Sequence, residues 1–198
     1  MKKFHHLLSG VLLCGMLALA GCGQNATDGG QLAPSTDDET QSDVTPAGVL
    51  SSFSATDLDG NEVDQGMLAD YDLTMVNVWA TFCGPCISEM PDLGQLAQEY
   101  QDKGVQIVGL VSDVLNADGT INEEQVQTAR DIVAETGAAY THLLPSGDLF
   151  GVLGQISYVP TTFFVDSTGA QVGSAVISAQ SKDKWVETID AMLAEVQS

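Results

Sequence analysis

From Leu50 onward apolar residues recur in two rhythms, every second position or every third and fourth, and the switches between them mark out the elements. Phe53, Ala55, Leu58 and Val63 flank Asp59-Gly60, a tight-turn pair, which predicts two short strands in a hairpin. Met67 to Tyr71 reads as a helical turn. Leu73 to Ala80 is an unbroken apolar run with β-branched Val76 and Val78, the signature of a buried central strand. Ile87 to Lys103 sets Met90, Leu93, Leu96, Ala97 and Tyr100 at helical spacing, with Gly104 as the stop and a kink expected at Pro91. Gln106 to Val111 predicts a second buried strand. Ser112 to Ile121 reads as a solvated loop; its Asn116, Asp118 and Gly119 echo a calcium loop, but Val114 and Gln125 then fall at the two end ligand positions. Glu123 to Glu135 predicts an amphipathic helix burying Val126, Ala129, Ile132 and Val133, and Thr141 to Leu144 a short strand. A short helix over Leu149 to Leu153 precedes a strand from Tyr158 to Asp166, headed by Pro160, which turns through Asp166-Ser167-Thr168-Gly169 into Gln171 to Val176. Lys182 to Val196 closes the chain as a helix with Trp185, Ile189, Met192, Leu193 and Val196 inward. Strands and helices in this order predict an α/β domain, a mixed central sheet covered by helices.

The first residues follow neither rhythm. Lys2 and Lys3 precede an apolar stretch from Leu7 to Ala20, too short to span a membrane comfortably, so residues 1–21 read as a signal peptide. Its end, Leu19-Ala20-Gly21-Cys22, resembles the bacterial lipobox, in which cleavage before the cysteine leaves the thiol to be lipidated. Cys22 is the expected anchor. Residues 22–48 are rich in Gly, Gln, Asn, Ser, Thr, Asp and Pro, and Asp28, Asp37, Asp38, Glu39 and Asp43 repel one another, so an extended, disordered acidic tether is expected. Residues 49–198 then form one domain. The 198-residue chain carries 27 acidic against 6 basic residues, a net charge of −21, and loss of Lys2 and Lys3 leaves Lys103, Arg130, Lys182 and Lys184. Such a chain has no basic footprint for nucleic acid. Its acidity reads as a solvated surface, and the lipid must hold it at the membrane.

Of the 4 cysteines, Cys14 departs with the signal peptide and Cys22 is capped, which leaves Cys83 and Cys86 in Cys83-Gly84-Pro85-Cys86. The pair stands where the central strand turns into a helix. With Pro85 in the first helical turn, Cys83 faces unpaired amide N–H groups and the positive end of the dipole, which favours its thiolate. Cys86, one turn further in, can attack a mixed disulfide on Cys83. A zinc site needs a second ligand pair, and downstream only His142 is on offer; an inert structural disulfide is the other alternative. His142, beside an apolar strand with nothing paired to it, reads as a core or surface residue rather than a base.

The string Asn77-Val78-Trp79-Ala80-Thr81-Phe82-Cys83-Gly84-Pro85-Cys86, with Glu89 and Pro91, resembles the TlpA/ResA group of extracytoplasmic thiol-disulfide oxidoreductases. The likeness runs from about Leu50 to the C-terminus. It implies a thioredoxin fold, here with an N-terminal β-hairpin and a central helical insertion. Val159-Pro160-Thr161-Thr162 matches the loop in which that fold carries a cis-proline facing the CxxC, so Pro160 is the expected cis-proline. Phe82 stands in the family's Trp position, keeping an aromatic beside the nucleophile but losing an indole N–H, and Phe82, Gly84, Pro85 and Val159 are the expected substrate contacts. Trp79 is expected to pack under the CxxC. Where thioredoxins place a buried Asp this chain has Asn77, which cannot exchange protons in that way. Glu89 follows Cys86 by three residues and Cys83 by six, about 60° per step round one side of a helix, and matches a family Glu; it is the expected acid/base, its pKa raised by burial. The implied activity is a Cys83/Cys86 dithiol-disulfide cycle without a cofactor, reducing disulfide-containing client proteins and fed by a membrane thiol donor of the CcdA/DsbD kind; Gly84-Pro85, the thioredoxin dipeptide, leans toward reduction. Two other classes compete. A peroxidase of peroxiredoxin type needs Thr-x-x-Cys and finds Ala80, and a copper carrier of the Sco type needs Cys-x-x-x-Cys and a distal His.

Overall fold

A computed structural model describes residues 48–198; the expected signal peptide, Cys22 and the tether up to residue 47 lie outside the described residues. The N-terminal hairpin pairs β1 (Ser54–Thr56) with β2 (Glu62–Asp64) antiparallel, and the Asp57 carboxylate accepts from the Asp59 and Asn61 amides across the turn. The helical turn after it is a 3₁₀ turn over Gln65–Leu68, earlier than expected because the Asp64 side chain caps it by accepting from Gly66 N. The main sheet consists of β3 (Leu73–Trp79), β4 (Val105–Val111), β5 (His142–Leu143), β6 (Thr161–Asp166) and β7 (Gln171–Ile177), in the order β5-β4-β3-β6-β7. β3, β4 and β5 run parallel, β6 pairs antiparallel with β3 and β7 antiparallel with β6, so the sheet is mixed as expected.

Alternation along β3 sends its side chains to two separately packed faces. Val76 and Val78, with Val108, Leu110, Phe163 and Val165, meet Leu50, Phe53, Ala55 and the short helix α3 (Phe150–Leu153) on one face. Leu73 and Met75, with Ile107 and Phe164, meet the helices α1 (Gly84–Gln101) and α4 (Lys182–Val196) through Leu93, Leu96, Trp185 and Ile189 on the other. Met192, Leu193 and Val196 of α4 are only half-buried. The expected insertion is the crossover from β4 to β5 through α2 (Glu123–Thr136), whose Val126 and Ala129 pack beside Trp79 and the two cysteines. Asn122 caps α2 by accepting from Gln125 N, and Gly137, at φ 70°, ends it in the left-handed conformation that glycine adopts without penalty.

Most boundaries fall within a residue or two of expectation, but β6 begins at Thr161 rather than Tyr158, after the cis-proline loop, and α1 differs at its start. α1 begins at Gly84 rather than Ile87, since Cys83 itself is the capping residue and Pro85 fits the first turn. Pro91 stands inside α1, which continues through it to Gln101. In the loop after β4, Asn116, Asp118 and Thr120 hydrogen-bond to one another, closed by a bridge between Leu115 and Ile121.

Candidate active site

The central strand delivers Trp79 fully buried, and the next four residues turn over the top of the sheet into α1. This turn is held from beneath. Ser112 donates from both its amide and its hydroxyl to the Trp79 carbonyl, and the Asp113 carboxylate accepts from the Thr81 amide at 3.1 Å and the Thr81 hydroxyl at 2.6 Å. Gln125 of α2 reaches the same Thr81 hydroxyl and donates to Asp113. Cys83 N donates to Ala80 O, which completes the turn.

Cys83 and Cys86 are joined as a disulfide, with Cα atoms 5.3 Å apart. Cys83 Sγ accepts from Cys86 N at 3.2 Å, and no acidic residue occupies the first turn of α1, so the dipole's positive end is left to the sulfur. Exposure separates the two cysteines: Cys83 is 5% exposed at the rim, Cys86 is fully enclosed. Around Cys83, Phe82 is 77% exposed and Gly84 and Pro85 also face solvent. The Val159–Pro160 peptide is cis, half-buried Val159 packs against the cluster that contains both cysteines, and β6 pairs with β3 up to Val78–Thr161, so the loop before β6 stands at the end of β3 from which the CxxC turn leaves. Pro160 O accepts from Ser178 N, tying this loop to the end of β7.

One further turn along α1, Glu89 is buried beneath. Its Oε1 accepts from Asn77 Nδ2 at 3.1 Å; its Oε2 accepts from Gln180 N at 3.0 Å and Trp185 Nε1 at 3.1 Å. Burial pushes the carboxyl above its ordinary value of 4.5, against these three donors, which pull it down. Asn77 also donates to Thr162 Oγ1 across the β3–β6 pair. Oε1 has a single donor, so it keeps a lone pair with which to take a proton. Dithiol chemistry therefore has what it needs in one place: a sulfur at a helix N-terminus, a buried second sulfur and a buried carboxyl that can hold a proton.

A family model described as Redoxin matches residues 30–174. The chain belongs to the redoxin family. Among relatives of this redoxin, thiol-disulfide oxidoreductase ResA of Bacillus thuringiensis (strain Al Hakam) is 29% identical over 133 residues, covering 67% of this chain and 69% of the relative. Thiol:disulfide interchange protein HelX of Rhodobacter capsulatus is 31% identical over 128 residues, 64% of either chain. A crystal structure of a thiol:disulfide interchange protein of the thioredoxin family from Chlorobium tepidum superposes with a TM-score of 0.59 at 25% identity, over 72% of this chain and 93% of that one. The fold is thus the thioredoxin fold, and the redoxin is TlpA/ResA-like as its motif implied.

Of the residues named from sequence, Phe82, Cys83, Gly84, Pro85 and Cys86 stand together at the start of α1 with Glu89 one turn below, and the loop of Val159 and buried Pro160 enters at the same end of the sheet, next to the Val78–Thr161 pair. Cys22 is not among the described residues. Sequence reasoning did not find Asp113, Gln180 or Trp185, which touch the site from remote segments. Trp185 was legible only as an inward helix position, and nothing local marked its indole N–H for Glu89. His142, read as a core or surface residue, is buried.

Proposed function

We propose that this redoxin is an extracytoplasmic reductase of protein disulfides, anchored through lipid on Cys22, a finer form of the thiol-disulfide oxidoreductase activity it shares with its ResA and HelX relatives. The observation that carries the reading is the order from surface to interior along one helix: Cys83 at the rim, then Cys86 and Glu89 both buried. In the reduced form the Cys83 thiolate attacks one sulfur of a client disulfide, and the other client sulfur leaves as a thiolate. Cys86 then gives its proton to Glu89 and attacks the Cys83 sulfur; the bond between Cys83 and the client breaks, and the second client thiolate leaves. Two electrons have passed to the client and the Cys83–Cys86 disulfide remains, to be reduced by a membrane thiol donor of the CcdA/DsbD kind. Exposed Phe82, next to Cys83 in the chain, and the loop of Val159 and Pro160, at the same end of the sheet, are the surfaces that would meet the client.

Cys86→Ala in the full chain stalls the cycle after the first attack, so mixed disulfides between Cys83 and extracytoplasmic proteins should accumulate and dissolve under dithiothreitol. If Cys86→Ala retains no more protein than a variant lacking both cysteines, the reductase reading fails.

A further inference from the structure

His142 comes from the short strand at the sheet edge, far from the CxxC in sequence, yet its imidazole lies against an aromatic of the cluster that holds both cysteines. Trp79, fully buried in the cluster that holds Cys83 and Cys86, donates its indole N–H to His142 Nδ1 at 3.2 Å. The two rings meet edge-on, their centroids 5.6 Å apart. Among the described residues no other group accepts that indole proton, and a buried donor left unpaired is a substantial loss.

The imidazole is fixed on every side. Nε2 pairs with Ala138 O at 2.9 Å, which requires the proton on Nε2 and leaves Nδ1 as an acceptor. Tyr140 stacks on its face with centroids 4.4 Å apart. Its floor is Gly109, which pairs with His142 across the β4–β5 ladder; a Cβ at that glycine would sit 2.1 Å from His142 Nδ1. The absence of a side chain in mid-strand, unfavourable for the strand itself, is what lets the ring lie there. Burial holds the imidazole neutral, down to about 4. Trp79 is thus clamped twice, by Ser112 on its carbonyl and by His142 on its indole, four residues before Cys83.

We propose that His142 is a positioning residue of the redox site, fixing the Trp79 indole against which the Cys83–Cys86 pair closes. The proposal rests on the dithiol cycle of Cys83 and Cys86 but not on the client's identity. In the step concerned, the Cys86 thiolate attacks Cys83 in a mixed disulfide with glutathione; the Cys83–glutathione bond breaks and glutathione leaves as a thiolate.

Single-turnover oxidation of the reduced full chain by oxidised glutathione isolates this closure without any client. His142→Leu, which removes the acceptor, should slow closure about tenfold, since misplacement of reacting groups by a fraction of an ångström costs rate on that scale. His142→Asn, whose amide oxygen falls near the place of Nδ1, should stay within twofold of the parent. Gly109→Ala, which displaces the ring without touching it chemically, should behave as His142→Leu. In the parent, nitrogen NMR of the imidazole should show the proton on Nε2, with the Trp79 indole proton shifted downfield by its bond. A parent imidazole protonated on Nδ1 overturns the proposal even if no variant folds. So does unchanged closure in folded His142→Leu or Gly109→Ala, which would reduce His142 to a core residue. Failure to trap clients with Cys86→Ala would count against the reductase reading alone, because closure with glutathione needs none.

Discussion

Glu89→Gln keeps the shape of the side chain and removes its charge, and the surrounding donors set the size of the effect. The carboxylate accepts from Asn77, Gln180 and Trp185. A glutamine that keeps its oxygen toward Gln180 and Trp185 must turn its NH₂ group toward Asn77 Nδ2, donor against donor. Asn77 can relieve this by rotating its amide, because its Oδ1 is buried with no hydrogen-bond partner among the described residues, and the Thr162 hydroxyl can then donate to that oxygen where it had accepted from the nitrogen. About one charge-assisted hydrogen bond is lost, worth roughly 1.5–3 kcal/mol, while the cost of burying a charge disappears, so net stability should change by no more than about 1 kcal/mol. The rate should change far more. A positioned base contributes about 10²–10⁴-fold, and Cys86 is fully enclosed, so water is a poor substitute. Closure of the mixed disulfide at neutral pH should fall on the order of 10²-fold, about 2.7 kcal/mol of barrier at 1.36 per decade. In the parent, closure should also weaken toward acid as the carboxyl, raised above 4.5 by burial, takes up its proton; this limb should vanish in Glu89→Gln. Stopped-flow mixing of the reduced chain with a disulfide across a pH series measures both. Closure within twofold of the parent, or an acid limb that survives the substitution, refutes the assignment of Glu89 as the base.

Stability should carry the mark of His142. Its folded value of about 4 lies below the ordinary 6.5, so between those limits the unfolded chain binds a proton that the folded chain refuses. Its contribution is complete above pH 6.5 and lost as pH falls toward 4, by up to about 3 kcal/mol. Glu89 works in the opposite sense: its raised carboxyl favours the fold below 4.5, and that advantage is lost as pH rises through its folded value. Urea unfolding at about pH 7 and pH 5 should show the parent losing more stability than His142→Asn, and equal losses would contradict the buried neutral imidazole. Cys22→Ala should move the protein from the membrane fraction to the soluble extracytoplasmic fraction, with closure rates unchanged; continued sedimentation with membranes would refute the lipid anchor.

Wherever one element dictated its own environment, it was legible in the sequence. β3 announced itself as an unbroken apolar run because it is buried on both faces, and α4 by a spacing that fixed its ends at Lys182 and Val196. The CxxC was readable because its chemistry is local: the N-cap, the first-turn proline and the second sulfur one turn on all arise from four adjacent residues. The cis bond before Pro160 was reachable only through family likeness, since a proline heading a strand is ordinarily trans. The supports beneath were hidden for a different reason. Trp185 lies 96 residues from Glu89, His142 63 from Trp79 and Asp113 32 from Thr81, and no periodicity in the chain links such pairs. Gly109 was the only local trace of His142's place, a glycine inside a buried strand, where a close approach by another group is the usual cause.

The direction of electron flow depends on how far the helix N-terminus and the enclosed second sulfur stabilise the dithiol, and the reduction potential of the Cys83–Cys86 couple reports that balance directly. Equilibration of the full chain with glutathione redox buffers at about pH 7, read by thiol alkylation, should give a potential near that of thioredoxin, about −270 mV, as a reductase requires. A potential near about −120 mV, as oxidising as that of DsbA, would contradict it and make the protein a donor of disulfides.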